Sequence, residues 1–106
     1  MMEADKARMI IISVYSENQV GLLSSISNIF TRRNINIESL TVFPSEFPGI
    51  HHFTFRVHTT PLTASQLVKF IEKEVDVLKA FFYECDEVQA REHDEVALYL
   101  SERNRL

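Results

Sequence analysis

Apolar and polar positions alternate along this chain in two distinct periods. Residues 9–15, Met9-Ile10-Ile11-Ile12-Ser13-Val14-Tyr15, are β-branched and apolar on both alternation phases, which predicts a strand buried on both faces. Glu17-Asn18-Gln19-Val20-Gly21 breaks that run. Leu22, Leu23, Ile26, Ile29 and Phe30 then recur at helical spacing, with Asn18 as the expected N-cap, Arg32 and Arg33 in the last turn and Asn34 as the stop. A second strand is expected over residues 36–43, with Ile37, Thr41 and Phe43 on one face and Leu40 and Val42 on the other. Two prolines and a glycine make residues 44–49 a loop. Residues 50–60 form the third strand, with His51, Phe53, Phe55 and Val57 toward a core and His52, Thr54, Arg56 and His58 away from it.

A second helix begins at Pro61-Leu62-Thr63. Thr63 and Gln66 have capping-box spacing, Leu62 and Leu67 have staple spacing, and Leu67, Phe70 and Ile71 form the apolar stripe. The last core strand covers residues 75–84, with Val75, Val77, Phe81 and Tyr83 in phase. The order strand–helix–strand–strand–helix–strand predicts an α+β, ferredoxin-like βαββαβ sandwich: a four-stranded antiparallel sheet with two helices on one face. The chain divides into an N-terminal extension (1–8), the core domain (9–86) and a tail (87–106). In the tail a charged patch precedes Val96-Ala97-Leu98-Tyr99-Leu100, read as a further strand. Two helices on one face leave the other face of the doubly apolar first strand uncovered. The simplest cover is a second copy, so a homodimer is expected.

Composition narrows the function classes. With 106 residues, 45% hydrophobic and 25% charged, the chain is of ordinary globular type and about one domain long. Eleven basic against 15 acidic residues give a formal charge of −4, which argues against nucleic acid and anionic membrane surfaces as partners. A lone cysteine, Cys85, excludes an internal disulfide and reads as a reduced thiol. No apolar run approaches the ~20 residues of a membrane span, and residues 1–8 mix acids with bases unlike a signal peptide, so a cytoplasmic location is expected.

The candidate chemistry is sparse. His51 and His52 point to opposite sides of one strand, His52 and His58 lie about 20 Å apart along it, and His93 sits in the tail, so no metal site is expected. An acylphosphatase-like enzyme has this strand order but needs an anion cradle at the first strand–helix junction, where this chain places Glu17 and no base. An RNA-binding module of the same order needs stacking aromatics on the open sheet face. Phe53 and Phe55 instead take the core phase. Gly21 is the residue that asks for an explanation, because propensity disfavours glycine in the first turn of a helix. Either the helix packs closely on a strand there, or its N-terminus is left open so that unpaired N–H groups can receive a carboxylate, with the Asn18 amide beside it.

The stretch Ser13-Val14-Tyr15-Ser16-Glu17-Asn18-Gln19-Val20-Gly21-Leu22-Leu23 resembles the opening of an ACT domain, the amino-acid-sensing module. Phe30-Thr31-Arg32-Arg33-Asn34-Ile35-Asn36-Ile37-Glu38-Ser39-Leu40-Thr41-Val42 and Val75-Asp76-Val77-Leu78-Lys79 are similar, more specifically, to the small regulatory subunits of acetolactate synthase, and the likeness covers roughly residues 9–100. The resemblance implies a non-catalytic chain that carries no cofactor. It would bind and activate a large catalytic subunit, on which thiamine diphosphate, Mg and, optionally, FAD are expected. It also implies feedback inhibition by valine, isoleucine or leucine, bound where two ACT domains pair side by side. Carried over by position, one chain contributes Asn18, Gln19, Val20, Gly21, Leu22 and Leu23, and its mate contributes Asn36 and Ile37. Backbone N–H groups near Gly21 and Leu22 would hold the effector's carboxylate, the Asn18 and Asn36 amides would orient it, and Ile37 would lie against its aliphatic chain. Many family members carry a second C-terminal domain beyond the length of this sequence. The competing readings are a stand-alone ACT sensor serving another enzyme or regulator, and an RNA-binding module.

Overall fold

A computed structural model describes the backbone of residues 6–17, 21–84 and 90–104 and the side chains of 6–17, 21–84 and 95–103. The elements are β1 (Arg8–Ser16), α1 (Leu22–Thr31), β2 (Ile37–Pro44), β3 (His51–Thr59), α2 (Pro61–Ile71), β4 (Val77–Glu84) and α3 (Ala90–Asn104). The four strands form one sheet in the order β2-β3-β1-β4, with every neighbouring pair antiparallel. This is the expected ferredoxin-like sheet with α1 and α2 on one face, to which the chain adds a third helix.

The main core lies between the sheet and α1 and α2. Ile10, Ile12 and Val14 of β1 and Phe53, Phe55 and Val57 of β3 meet Leu22, Ile26 and Phe30 of α1 and Ala64, Leu67 and Ile71 of α2. Each large apolar side chain removed from water in this layer contributes about 1.5–3 kcal/mol, which accounts for why the period-two face of β3 and the helical stripes are the strongest patterns in the sequence. Two irregularities break the expected phases at the edges. The β2–β3 register shifts between Ile37 and Ser39, so Ile37 packs on the helix-side core together with Leu40 and Val42 rather than opposite them. The β1–β4 register shifts at Tyr15/Ser16, so Val77 faces the helix-side core while Phe81 packs on the other side of the sheet, and Val75, 95% exposed, precedes the strand. One extra residue in a ladder reverses the facing of everything beyond it, and apolar alternation alone carries no sign of that.

Helix ends also differ from expectation. Helix α1 starts at Leu22 with Gly21 as its N-cap, so the cap is not Asn18, which lies outside the described residues. Asn34 does close α1: at φ 56° it sits in the left-handed region, while the Asn34 and Ile35 amides donate to the carbonyls of Thr31 and Phe30. Those two bonds are the Schellman pattern. For α2 the cap is Thr60 rather than Thr63. Its hydroxyl accepts the Thr63 amide at 3.0 Å, and Pro61 occupies the first helical position, where its missing N–H costs nothing.

The tail is the largest departure. Val96-Ala97-Leu98-Tyr99-Leu100 is helical, within α3, and not a strand. Val96 is fully buried in a second cluster with Tyr15, Ile50 and Leu78, joined by Phe47, Phe81, Tyr99 and Leu100. Helix α3 therefore covers, from within the chain, part of the sheet face for which a second copy had been the expected cover. A five-residue apolar run fits a buried strand and a buried helix equally, so the pattern alone does not separate them. No described helix is long and apolar enough to cross a membrane. Replacing Val96 with Asp puts a carboxylate into an apolar cluster and is expected to release α3 while leaving the sheet and its helix-side core folded. Limited proteolysis should then cut within residues 90–104 first, with urea unfolding of the remainder still cooperative. A variant as protease-resistant as the parent would contradict the docking of α3.

Candidate functional site

The first strand–helix junction is built around Gly21. Its φ of 77° and ψ of −18° lie in the left-handed region, which only glycine enters without a steric cost. A Cβ placed there would meet nothing within 4 Å, so close packing of helix on strand is not why glycine is present. The backbone turn itself is the reason. It lets β1 end at Ser16 and α1 begin at Leu22, which is buried in the core, while Leu23 is 37% exposed. Among the described residues no side chain caps α1, and no acidic residue lies in its first turn. The first backbone N–H groups of a helix have no partner within it, so this end presents donors and the positive end of the dipole, and the nearest lining carboxyls, Glu74 and Asp76, come from the turn before β4 and not from α1 itself. Gly21, Leu22 and Ser25 line a recess of about 350 Å³ with Glu74, Val75 and Asp76. The Glu17 amide donates to the Asp76 carbonyl at 2.9 Å, fixing the exit of β1 against the turn that leads into β4.

The second-strand half of the candidate site lies elsewhere. Asn36 is exposed just before β2, in a recess of about 340 Å³ that it shares with Met9, Asn34, Glu38 and His58. Of these neighbours only Asn34 carried a sequence signal, as an asparagine at a helix stop. The others are brought in by strand pairing. Ile37 is half-buried on the chain's own core, so its side chain is already partly committed. Asn18, Gln19 and Val20 lie outside the described residues.

Within one chain the two halves cannot meet. Ile37 pairs with Val57, which pairs with Ile10, whereas Ser16 stands six residues further along β1 beside His51. At ~3.3 Å per residue that separation is about 20 Å, several times the length of a small amino acid.

The histidines have local roles. The His52 ring stacks on Tyr15 with centroids 4.3 Å apart, and its Nε2 lies 2.5 Å from the Ser13 hydroxyl. His51 leaves its buried Nδ1 without a hydrogen-bond partner, and among the described residues no group of three His, Cys, Asp or Glu side chains converges as metal ligands do. Phe53 and Phe55 are 1% and 0% exposed, which removes them as stacking platforms for nucleic-acid bases.

Comparison with known proteins gives a consistent picture. The family described as the AHAS small subunit-like ACT domain matches residues 12–79. The acetolactate synthase small subunit of Bacillus subtilis is 41% identical over 70 residues, covering 65% of this chain and 41% of that protein. Among solved structures, the acetolactate synthase small subunit of Thermotoga maritima matches 74% of this chain and 49% of its own, with 32% identity and a TM-score of 0.66. The ACT domain of the Chlorobium tepidum GTP pyrophosphokinase is 14% identical with a TM-score of 0.60 over 74% of this chain and all of that one, a likeness of fold alone. The chain spans less than half the length of the two small subunits.

Proposed function

The chain belongs to the family of acetolactate synthase small-subunit ACT domains, and we propose that it is a non-catalytic regulatory unit: it binds the large catalytic subunit, raises its activity and confers feedback inhibition by valine, isoleucine or leucine. In this reading thiamine diphosphate and Mg serve the partner chain, and the contribution of this one is binding.

The observation that supports the reading is that the two segments proposed to hold the effector, at Gly21 and at Asn36, lie about 20 Å apart in one chain, so that one small ligand could reach both only with a second copy. The sheet geometry favours one way of adding it. Strands β2 and β4 are the two edges, and β2 is mostly exposed, with Phe43 at 62%. Two-fold pairing of β2 with its mate runs the strands antiparallel. The Ile37 end of one chain then approaches the Pro44 end of the other, which is the end at which β1 exits toward Gly21. Pairing through β4 instead would set β1 of one chain and β2 of the mate five strand spacings apart, about 24 Å, against three, about 14 Å, through β2. A small zwitterion at the β2 interface would place its carboxylate on the open N–H groups of α1 and its side chain toward Asn36 and Ile37 of the mate. Its effect follows if it binds one packing of the two chains better than another.

The decisive experiment is co-purification with the acetolactate synthase large subunit, assayed with and without valine. Association and activation are expected, with valine reversing the activation. Valine binding without association would favour the stand-alone sensor, and neither association nor activation would remove the subunit reading.

A further inference from the structure

A basic groove runs between the C-terminal ends of α1 and α2, and of its lining only Glu74 is shared with the recess at Gly21. The groove has a volume of about 540 Å³ and is lined by Ile29, Arg32, Arg33, Phe70, Lys73 and Glu74. Its floor is Phe70, an aromatic ring 41% exposed. The Arg33 guanidinium lies over that ring at 4.2 Å from its centroid and the Lys73 ammonium at 5.1 Å. Arg33 also donates through Nη1 to the Ile29 carbonyl at 3.1 Å, so its guanidinium is held in place on two sides. A stacked guanidinium keeps its remaining N–H edge available for a carboxylate. Lys69, in the last turn of α2, adds a further cation nearby in sequence.

Glu74 is the one carboxylate in the lining, and among the described residues no ion pair engages Arg32, Arg33, Lys69 or Lys73. A chain of net charge −4 thus gathers three of its 11 basic residues around one exposed aromatic ring. Arginine and aromatic side chains are the residue types enriched at protein interfaces, and a cluster of like charges is stabilised when opposite charge is brought to it.

We propose that this groove docks an acidic segment of the large catalytic chain, with carboxylates on Arg32, Arg33 and Lys73 and an apolar side chain on Phe70 and Ile29. This rests on the subunit reading and adds to it the surface and the chemistry of contact. A second copy of this chain does not fit, because an isologous dimer through the groove would set the same cations against each other. A lone small anion finds no deeply buried polar side chain to hold it.

The test measures association of the full chain with the large subunit as a function of salt. The charge-reversed pair Arg32→Glu/Lys73→Glu is expected to weaken association about tenfold or more and to flatten its salt dependence. Phe70→Ala should weaken it with the salt slope kept. The neutral pair Arg32→Gln/Lys73→Gln should fall between the parent and the reversed pair. Thermal midpoints should fall by only a few degrees, leaving each variant folded at the assay temperature, and calorimetric valine binding should stay at the parental value in all three. Association unchanged in the charge-reversed pair overturns the groove and leaves the subunit reading standing. A shift in this chain's own dimerisation, or loss of binding to a single-stranded RNA oligonucleotide while large-subunit association holds, also overturns it in favour of those occupants. Failure of the parent chain to bind the large subunit overturns both.

Discussion

Phe55→Ala is expected to be among the most destabilising single substitutions in this chain, costing about 3–5 kcal/mol. The side chain is fully buried in β3, with its ring centroid 5.2 Å from Phe30 of α1 and 6.4 Å from Phe53. Its strand neighbours are Ile12 of β1 and Leu40 of β2, so truncation opens a cavity walled by three strands and a helix. Surrounding side chains relax only partly into such a cavity, and the cost is the lost transfer free energy plus the void. Against a total stability of about 5–15 kcal/mol for a domain, this change alone removes a large fraction. At about 4–8 °C per kcal/mol for a chain of this size, the thermal midpoint should fall by at least about 12 °C. Phe43→Ala is the control: Phe43 is 62% exposed and on the opposite face, and at concentrations where the chain is monomeric its loss should change stability by no more than about 0.5 kcal/mol. Urea unfolding of both variants checks the pair, and equal costs would mean that the facing of β3 and β2 is wrong.

That contrast marks what could be read before the fold was known. Phe53, Phe55 and Val57 alternate cleanly with polar neighbours, and the hydrophobic effect alone dictates where such residues go. The burial of β1 on both faces was equally legible in Met9 to Tyr15. What covers the second face was not, because a run such as Val96 to Leu100 has no period of its own, and its partners Tyr15, Ile50 and Leu78 come from three separate parts of the chain. The shifts at Ile37/Ser39 and Tyr15/Ser16 escape pattern reading for a related reason: one extra residue in a ladder leaves composition unchanged while reversing the facing.

The candidate site was legible in its glycine and only half legible in its cause. Gly21 in a helical first turn signalled something unusual, but a positive φ and a close packing contact leave the same residue in the sequence. The distance between Gly21 and Asn36 follows from strand register, so the proposal that two chains share the site gains its physical argument only once Ile37, Val57 and Ile10 are seen at one level of the sheet.

Substitutions at Gly21 should then drive stability and effector affinity in opposite orders. Any L-residue at φ 77° pays about 1–2 kcal/mol for the left-handed backbone, and Ala has nothing to offset it. Asp tolerates that region better than Ala and so pays less, and its carboxylate lies at the N-terminus of α1, where negative charge contributes about 0.3–1 kcal/mol. With no atom within 4 Å of the added Cβ, neither variant should disturb the core. Gly21→Asp is therefore expected to melt at or above Gly21→Ala, which should fall about 4–16 °C below the parent. Binding should run the other way. The Asp carboxylate occupies and repels the place proposed for the effector's own carboxylate, so valine affinity should fall about 100-fold or more in Gly21→Asp and by less than about tenfold in Gly21→Ala. Calorimetric titration with valine alongside thermal melts separates the two effects. A common loss in both variants would trace to backbone strain, and equal, parental binding in both would place the carboxylate somewhere other than the first turn of α1.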